Sequence, residues 1–401
     1  MKYFFSAGEA SGDIHAAGVI ECLRRLDPEA KILFLGGDAM SAATGSRPLI
    51  HIDRMAYMGF VNVALHIGDV LGNMRIARSA MRVFRPDLFV AVDYPGFNLK
   101  MVSYANALGI PTAWYIAPKL WAWKEYRLKT MKKVVDKTLS ILPFEPEWFS
   151  GHGMKVDYVG NPSVEEVERT LSRMPRREEW LEKHGLDNRP ILALIPGSRV
   201  GEIKDNLPVM DQVGRLHHDM QVVVAGAPSV DRALYRRFTS FKIITGETLT
   251  LMAMARAALV TSGTASLECA LAGTPQVVLY RSIGLKVAHN AFEHILKIPY
   301  VSLPNLIGGK IDAETRRRVD ARADATGVRS AIVPEMLMHH CNAEEVDAQL
   351  RPLLSDSKER DAQLAGYALV RARLATKTPA AENAAASIYE LAKKMREQKK
   401  S

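Results

Sequence analysis

The stretch Pro196-Gly197-Ser198-Arg199, followed by Gly201-Glu202, stands directly after the apolar run Ile191–Ile195. That run predicts a buried strand. A strand ending in these residues leaves a tight turn, free backbone N–H groups and one fixed cation. This is the chemistry that holds an anion at the mouth of an α/β sheet. Gly197 allows close backbone approach, and Arg199 can offer a two-pronged cationic contact to a diphosphate. Ser198 adds a small polar residue at the same turn. Glu202 falls in the first helical turn, where its charge suits the helix dipole. A second mouth follows at Thr261-Ser262-Gly263-Thr264-Ala265-Ser266-Leu267-Glu268. Ser262, Gly263 and Thr264 begin a helix whose N–H groups point at the strand end, where phosphate gains from the dipole. Glu268, one to two turns in, can accept hydrogen bonds from ribose hydroxyls or simply face solvent. Two phosphate-type loops in one half of the chain predict a nucleotide-binding domain.

The other half carries different chemistry. Asp93 ends the apolar run Leu88–Val92 and is followed by Tyr94-Pro95-Gly96-Phe97-Asn98. A carboxylate at a strand mouth can act as a general base on a substrate hydroxyl; the alternative is an Asp that caps the Pro-Gly turn. The loop Ser6-Ala7-Gly8-Glu9-Ala10-Ser11-Gly12-Asp13 is not a GxGxxG fingerprint. Its acidic Glu9 and Asp13 disfavour phosphate and suit sugar hydroxyls or an amide, unless the loop is only a capped turn. Trp114-Tyr115 and Trp121-Ala122-Trp123 precede Lys124, Arg127, Lys129, Lys132 and Lys133. Aromatic residues beside cations fit an anionic lipid interface or a greasy acceptor channel, or an aromatic core beside a solvated helix. Tyr57–Val61 adds an apolar loop in the same half. His339-His340-Cys341 has no further ligand in view, and adjacent residues project apart, so no metal site is expected.

Both halves begin strand–loop–helix–strand–Gly. The first runs Tyr3–Phe5, Ser6–Asp13, a helix from Ile14 to Leu26, then Ile32–Leu35. The second runs Ile191–Ile195, Pro196–Glu202, a helix across Leu207–Leu216, then Gln221–Ala225. Further strands are expected at Thr112–Ile116, Leu139–Leu142, Ala258–Val260 and Gln276–Tyr280. Such continuous apolar runs suit parallel strands covered on both faces. The fold expected is α/β, two Rossmann-like domains facing across a cleft. The divisions expected are 1–160 for an acceptor or membrane-side domain, 161–356 for the nucleotide domain, and 357–401 for a helical tail packing back on the first domain. Residues 311–329 are Arg-rich and apolar-poor and read as a surface insertion. With 401 residues, 48% hydrophobic and 24% charged, the chain suits a two-domain globular protein. Its 3 cysteines lack CxxC spacing, which argues against a disulfide framework and for a reducing compartment. No signal peptide or spanning helix is expected. A net charge of +9 suits phosphorylated substrates, an anionic membrane or nucleic acid, but no nucleic-acid motif accompanies it.

With these residues in view, the chain resembles the lipid-A-disaccharide synthase family. The segments that carry the resemblance are Ser6–Asp13, Asp93–Asn98, Ile116-Ala117-Pro118 through Trp121–Trp123, Leu142-Pro143-Phe144-Glu145, Gly160-Asn161-Pro162, Pro196–Arg199, Ser262–Glu268 and Tyr300–Asn305, in this order along nearly the whole length. The resemblance implies a GT-B glycosyltransferase that inverts the anomeric centre. It would transfer 2,3-diacylglucosamine from UDP-2,3-diacylglucosamine to 2,3-diacylglucosamine 1-phosphate, giving the β(1→6) lipid A disaccharide 1-phosphate and UDP. No cofactor or metal is implied. The location implied is cytoplasmic, peripheral on the inner-membrane face, with a homodimer left open. By residue match, Asp93 would be the base on the acceptor 6-hydroxyl. Arg199, Ser262, Gly263 and Thr264 would hold the diphosphate and Glu268 the ribose. Asn305, Glu9 and Ser11 would complete the cleft. Two departures stand out: Ala117 occupies a position where the family usually has Ser, and residues 311–329 intervene between Asn305 and Val333-Pro334-Glu335. Other UDP-sugar enzymes of this architecture, such as a 2-epimerase or a muramyl-peptide glycosyltransferase, are the alternatives, along with a membrane-associated binding protein without catalysis.

Overall fold

The structure, a computed structural model, describes residues 1–55, 67–281 and 298–398. The chain divides into two compact units, Met1–Pro162 with Thr376–Ser401, and Ser163–Ala375.

The first unit is built on a seven-stranded parallel sheet. Its strands are β1 (Lys2–Ala7), β2 (Lys31–Gly36), β3 (Ile50–His51), β4 (Leu88–Val92), β5 (Thr112–Tyr115), β6 (Lys137–Ser140) and β7 (Asp157–Tyr158), in the order β3-β2-β1-β4-β5-β6-β7. Tyr3 pairs with both Ile32 and Leu88, so β1 is central. All five residues of β4 are buried. Helices cover both faces, as the unbroken apolar runs require. On one face the helix Ala10–Leu26 buries Ala16, Val19, Ile20 and Leu23, a helical spacing, against β1 and β2. The chain's last helix, Ala380–Gln398, adds Ala384, Ala385, Ile388 and Ala392 to the same core. The helix Ala10–Leu26 starts four residues before the expected Ile14, so Ala10–Asp13 form its first turn instead of extending the loop.

The second unit repeats the plan with β8 (Ile191–Ile195), β9 (Gln221–Gly226), β10 (Lys242–Thr245), β11 (Ala257–Thr261), β12 (Gln276–Tyr280), β13 (Val328–Arg329) and β14 (Glu335–Leu337). The order is β10-β9-β8-β11-β12-β14-β13, parallel except for the β13–β14 pair. The segment expected as a surface insertion contains the helix Ala313–Thr326 and ends on β13, so it contributes a strand to the sheet. The helix Lys358–Leu374 also belongs to this unit, not to the tail expected from residue 357. Its Gln363 accepts from the backbone N–H of Gln276 at 2.6 Å, and its Tyr367 hydroxyl donates to the carbonyl of Thr274 at 3.0 Å.

In both sheets the strand order reverses beside the first strand, between β1 and β4 in one and between β8 and β11 in the other. Ligands of doubly wound sheets bind outside the carboxyl ends of strands at such a reversal. The expected apolar loop Tyr57–Val61 and the end of the Lys-rich tail lie outside the described residues.

Candidate active site

In the first unit the reversal point is flanked by the turn after β4 and the turn after β1. Asp93 and Tyr94 both adopt left-handed backbone, with φ of 42° and 49°. Non-glycine residues hold that conformation at a cost of about 1 kcal/mol or more each, and only when their surroundings fix them. The buried side chain of Asn98 does so. Its Nδ2 donates to the carbonyls of Val92, Asp93 and Ser6, at 3.2, 2.8 and 3.0 Å, and its Oδ1 accepts from the Ser6 hydroxyl at 2.7 Å. The Tyr94 hydroxyl donates to the carbonyl of Met55 at 2.6 Å. The Tyr94 ring lies over Gly8, where a Cβ would come within 2.3 Å of it. The glycine in the β1 loop is therefore set by the β4 turn. Asp93 is half-buried, and burial raises its pKa, with the Lys119 charge and a backbone hydrogen bond at Tyr94 opposing.

Glu9 and Ser11 sit beside this turn at the start of the helix Ala10–Leu26, Glu9 half-buried and Ser11 exposed. Asp13 does not face a ligand. It is buried and accepts from the backbone N–H groups of Gly37, Ala39 and Met40 at 2.6, 2.9 and 3.2 Å, capping the helix Asp38–Thr44.

The aromatic cluster divides. Trp114 and Trp121 are buried, which removes them from any lipid interface, while Trp123 and Tyr126 are 53% and 72% exposed. Lys124 lies over the Trp123 ring, 4.2 Å from its centre. The Trp121 indole N–H donates to Glu145 Oε1 at 2.9 Å, and Ser140 donates to the other oxygen. Glu145 is completely buried, which pushes its pKa up to about 7 against the pull of those two hydrogen bonds and of Lys119; Asp93 pushes the same way as burial. The sequence alone points to no role for Glu145 or Asn98. Each closes one of the segments that carry the family resemblance, Leu142–Glu145 and Asp93–Asn98, and that is the available signal.

In the second unit the loops after β8 and β11 flank the reversal point. Gly197 has φ of 104°, and a Cβ there would lie 2.4 Å from Glu202 Oε2. That oxygen accepts from the N–H groups of Ser198 and Arg199 at 3.1 and 3.3 Å, and Arg199 Nη1 contacts Glu202 Oε1 at 2.8 Å. The N–H groups and the guanidinium expected to meet an anion thus hold a carboxylate of the chain itself. On the neighbouring strand, Ser262 and Gly263 lead into the helix Thr264–Ala272, with Gly263 and Thr264 exposed. Glu268 is in its second turn, half-buried. Burial raises its pKa to about 7, and the nearby Glu166 carboxylate adds to the shift.

Asn305 departs from its expected place. It is fully buried. Its Oδ1 accepts from the N–H groups of Ala331, Ile332 and Val333 at 3.2, 2.7 and 2.9 Å. Its Nδ2 donates to the Val333 carbonyl and to Glu335 Oε1, each at 2.8 Å. An amide so committed braces the loop and has no hydrogen left for a substrate. Glu335, also buried, accepts from the N–H groups of Val301 and Ser302, both at 2.9 Å. The carbonyl of Val301 receives the Ser262 hydroxyl at 3.0 Å. Asn305 therefore reaches the β11 loop indirectly, through Glu335 and Val301.

Two doubly wound sheets, each with its motif residues at the strand-order reversal, place the chain in the GT-B class. Solved structures of like fold include a putative UDP-N-acetylglucosamine 2-epimerase from Listeria monocytogenes (TM-score 0.61, 12% identity, 99% of this chain and 97% of that one covered). Another is the spinosyn rhamnosyltransferase SpnG (TM-score 0.56, 12% identity, 98% and 100% covered). At such identity the likeness is one of fold alone. The model of the lipid-A-disaccharide synthetase family matches residues 3–320, and the chain belongs to that family. Relatives include the lipid-A-disaccharide synthases of Myxococcus xanthus, 35% identical over 394 residues with 96% of both chains covered, and of Anaeromyxobacter dehalogenans, 34% identical over 378 residues with 92% of both covered. As a member of this family the chain is a hexosyl-transferring glycosyltransferase.

Proposed function

We propose that this enzyme moves 2,3-diacylglucosamine from UDP to the 6-hydroxyl of 2,3-diacylglucosamine 1-phosphate, with inversion, releasing UDP and the β(1→6) disaccharide 1-phosphate. The observation that carries this reading is the placement of Asp93 at the strand-order reversal of the first sheet. In the proposed reaction Asp93 takes the proton of the acceptor hydroxyl as its oxygen attacks the anomeric carbon. The bond to UDP breaks on the opposite face, and negative charge grows on the departing diphosphate. Arg199, the Ser198 N–H and the N-terminus of the helix Thr264–Ala272 are the groups of this chain suited to stabilise that charge. Glu268 is suited to the ribose hydroxyls, and Glu9 and Ser11 to sugar hydroxyls. Partial burial makes Asp93 a stronger base than an exposed aspartate, and the Lys119 charge opposes that rise.

The membrane reading is also a proposal. Exposed Trp123 and Tyr126 lie close in sequence to Lys129, Lys132 and Lys133, all exposed. Among the described residues no helix is long and apolar enough to cross a membrane. Reversible docking of the first unit on an anionic surface would give access to acceptors whose acyl chains stay in the bilayer.

The test is turnover of UDP-2,3-diacylglucosamine with the acceptor 1-phosphate by wild type and Asp93→Asn. General-base catalysis is worth about 10²–10⁴-fold, so kcat should fall by at least that lower bound while UDP binding persists. An Asn variant that keeps more than about a tenth of kcat removes Asp93 from the role of base. In wild type, kcat/KM should fall on the acid side at a pH above the ordinary aspartate value of about 3.9, because Asp93 acts ionised and its pKa is raised.

A further inference from the structure

The helical layer of the first unit carries a groove that the proposed chemistry does not use. The helix Ile67–Phe84 sends Met74, Ala77 and Met81 into the core, a helical spacing. The flank of that stripe carries Arg75, Arg78 and Arg82 at the same spacing. The helix Pro95–Ala107 buries Phe97, Met101, Val102 and Ala105 and leaves Lys100 and Tyr104 nearer its surface. Between these two helices and Thr130 of the helix Leu128–Val134 lies an open groove of about 460 Å³, lined among others by Arg78, Lys100, Tyr104 and the apolar Leu99 and Ala107. No carboxylate lines it. The Arg78 guanidinium lies 5.0 Å from the centre of the Tyr104 ring, and that of Arg82 lies 5.5 Å from it. The ring holds these cations but does not neutralise them, because a guanidinium against a ring keeps N–H edges for acceptors. Among the described residues Arg78, Arg82 and Lys100 enter no ion pair, whereas Arg215, Arg329 and Arg351 each hold an aspartate. The Nε of Arg78 is buried with no acceptor among the described residues, which is rare in folded proteins.

We propose that this groove seats the phosphate headgroup of an anionic phospholipid, so that the first unit holds a bilayer by one built site as well as by diffuse charge. The proposal rests on the reading that this unit docks on a membrane. Three cations with no carboxylate beside them call for an anion. Leu99 and Ala107 beside them suit the glycerol and first methylenes of a lipid, which a free phosphate would leave unmatched. The groove also adjoins the basic segment, since Thr130 shares its helix with exposed Lys129, Lys132 and Lys133. The helix that carries Arg78 further exposes Ile76 and Val83, apolar side chains that a bilayer surface accepts. In this seat Arg78 offers its fork to two phosphate oxygens, and Lys100 adds a point charge.

Arg78→Lys keeps the charge and removes the fork, and Lys100→Gln removes a charge from the groove. Binding of the full-length protein to vesicles of phosphatidylcholine with phosphatidylglycerol, read by flotation across a lipid titration, should weaken about fivefold in each variant. Diffuse attraction responds to charge alone, so unchanged vesicle binding by Arg78→Lys overturns the site, as does unchanged binding by Lys100→Gln. Calorimetric titration with two soluble probes separates the sources of the phosphate. Monomeric short-chain phosphatidylglycerol should bind wild type, and bind Arg78→Lys about fivefold more weakly. Inorganic phosphate should bind wild type about tenfold less tightly than that lipid, the worth of about two buried methylenes. Equal affinity for the two probes overturns the lipid assignment and makes the groove a site for a free anion. No binding of the short-chain lipid overturns the site altogether. Failure of the docking reading shows separately, as wild type that does not float with the vesicles at any lipid concentration.

Discussion

At the scale of single residues, the chain settles the fate of most of its motif carboxylates by pairing them within the protein. Asp13, Glu202 and Glu335 all accept backbone N–H groups. In the proposed reaction the diphosphate has to take over the N–H groups and the guanidinium that Glu202 holds. Arg199→Ala should therefore weaken UDP binding about 10- to 100-fold, the value of one charge-assisted hydrogen bond, with Arg199→Lys rescuing only part because an ammonium lacks the planar fork. Glu202→Gln should tighten UDP binding about threefold or more by removing a like charge. Calorimetric titration with UDP measures both; unchanged affinity in Arg199→Ala sinks its assignment, and weaker binding in Glu202→Gln makes its carboxylate a scaffold the loop needs. The sequence placed the motif residues near strand ends but not their partners. Those partners, such as Gly37 for Asp13 and Ser302 for Glu335, come from distant segments, and spacing carries no trace of them. The same blindness hid Glu145, which is buried and held by Trp121 from 24 residues away.

At the scale of elements, the legible strands were the largely buried ones. The apolar runs Leu88–Val92, Ile191–Ile195 and Gln276–Tyr280 match β4, β8 and β12 to the residue. A central parallel strand is covered on both faces, so its sequence is apolar without interruption. The missed strands break that rule. β10 is exposed at both ends, β3, β7 and β13 are two residues long, and β14 begins with a glutamate. The expected strand Leu139–Leu142 is β6 displaced by two residues, because Lys137 and Thr138 pair in the sheet despite their polarity. The tie between β14 and the segment Val301–Asn305 is the element-scale feature most open to test. Asn305→Ala leaves the N–H groups of Ala331, Ile332 and Val333, the last of them buried, and Glu335 short of a partner. With about 1–3 kcal/mol for each unsatisfied group and some relaxation, the second unit should lose about 3–5 kcal/mol in urea unfolding. A loss under about 1 kcal/mol means that the loop finds other partners.

At the scale of the whole molecule, the first unit should float with anionic vesicles at low salt and be released at high salt, because the Debye length shrinks to about 3 Å at 1 M. Lys132→Glu with Lys133→Glu should weaken flotation strongly, as each basic residue near such a surface is worth about 1 kcal/mol. Unchanged flotation of the double variant would move the docking face elsewhere, for instance toward the Lys-rich end of the chain. The chain also leaves its first unit at Pro162 and returns to it only at Thr376. Asn383 Nδ2 reaches back to the carbonyl of Val159 at 3.0 Å, and Gly160 leaves room for Ala380, whose Cβ would lie 3.2 Å from an added methyl. The face of the helix Ala10–Leu26 that receives Ala384, Ile388 and Ala392 is thus made long before the helix that covers it. During synthesis the second unit can complete its core while the first unit still waits for the helix Ala380–Gln398. A ribosome that stops short of residue 376 would release a greasy, unfinished sheet with a finished partner attached, so quality control by chaperones and proteases should fall hardest on that half.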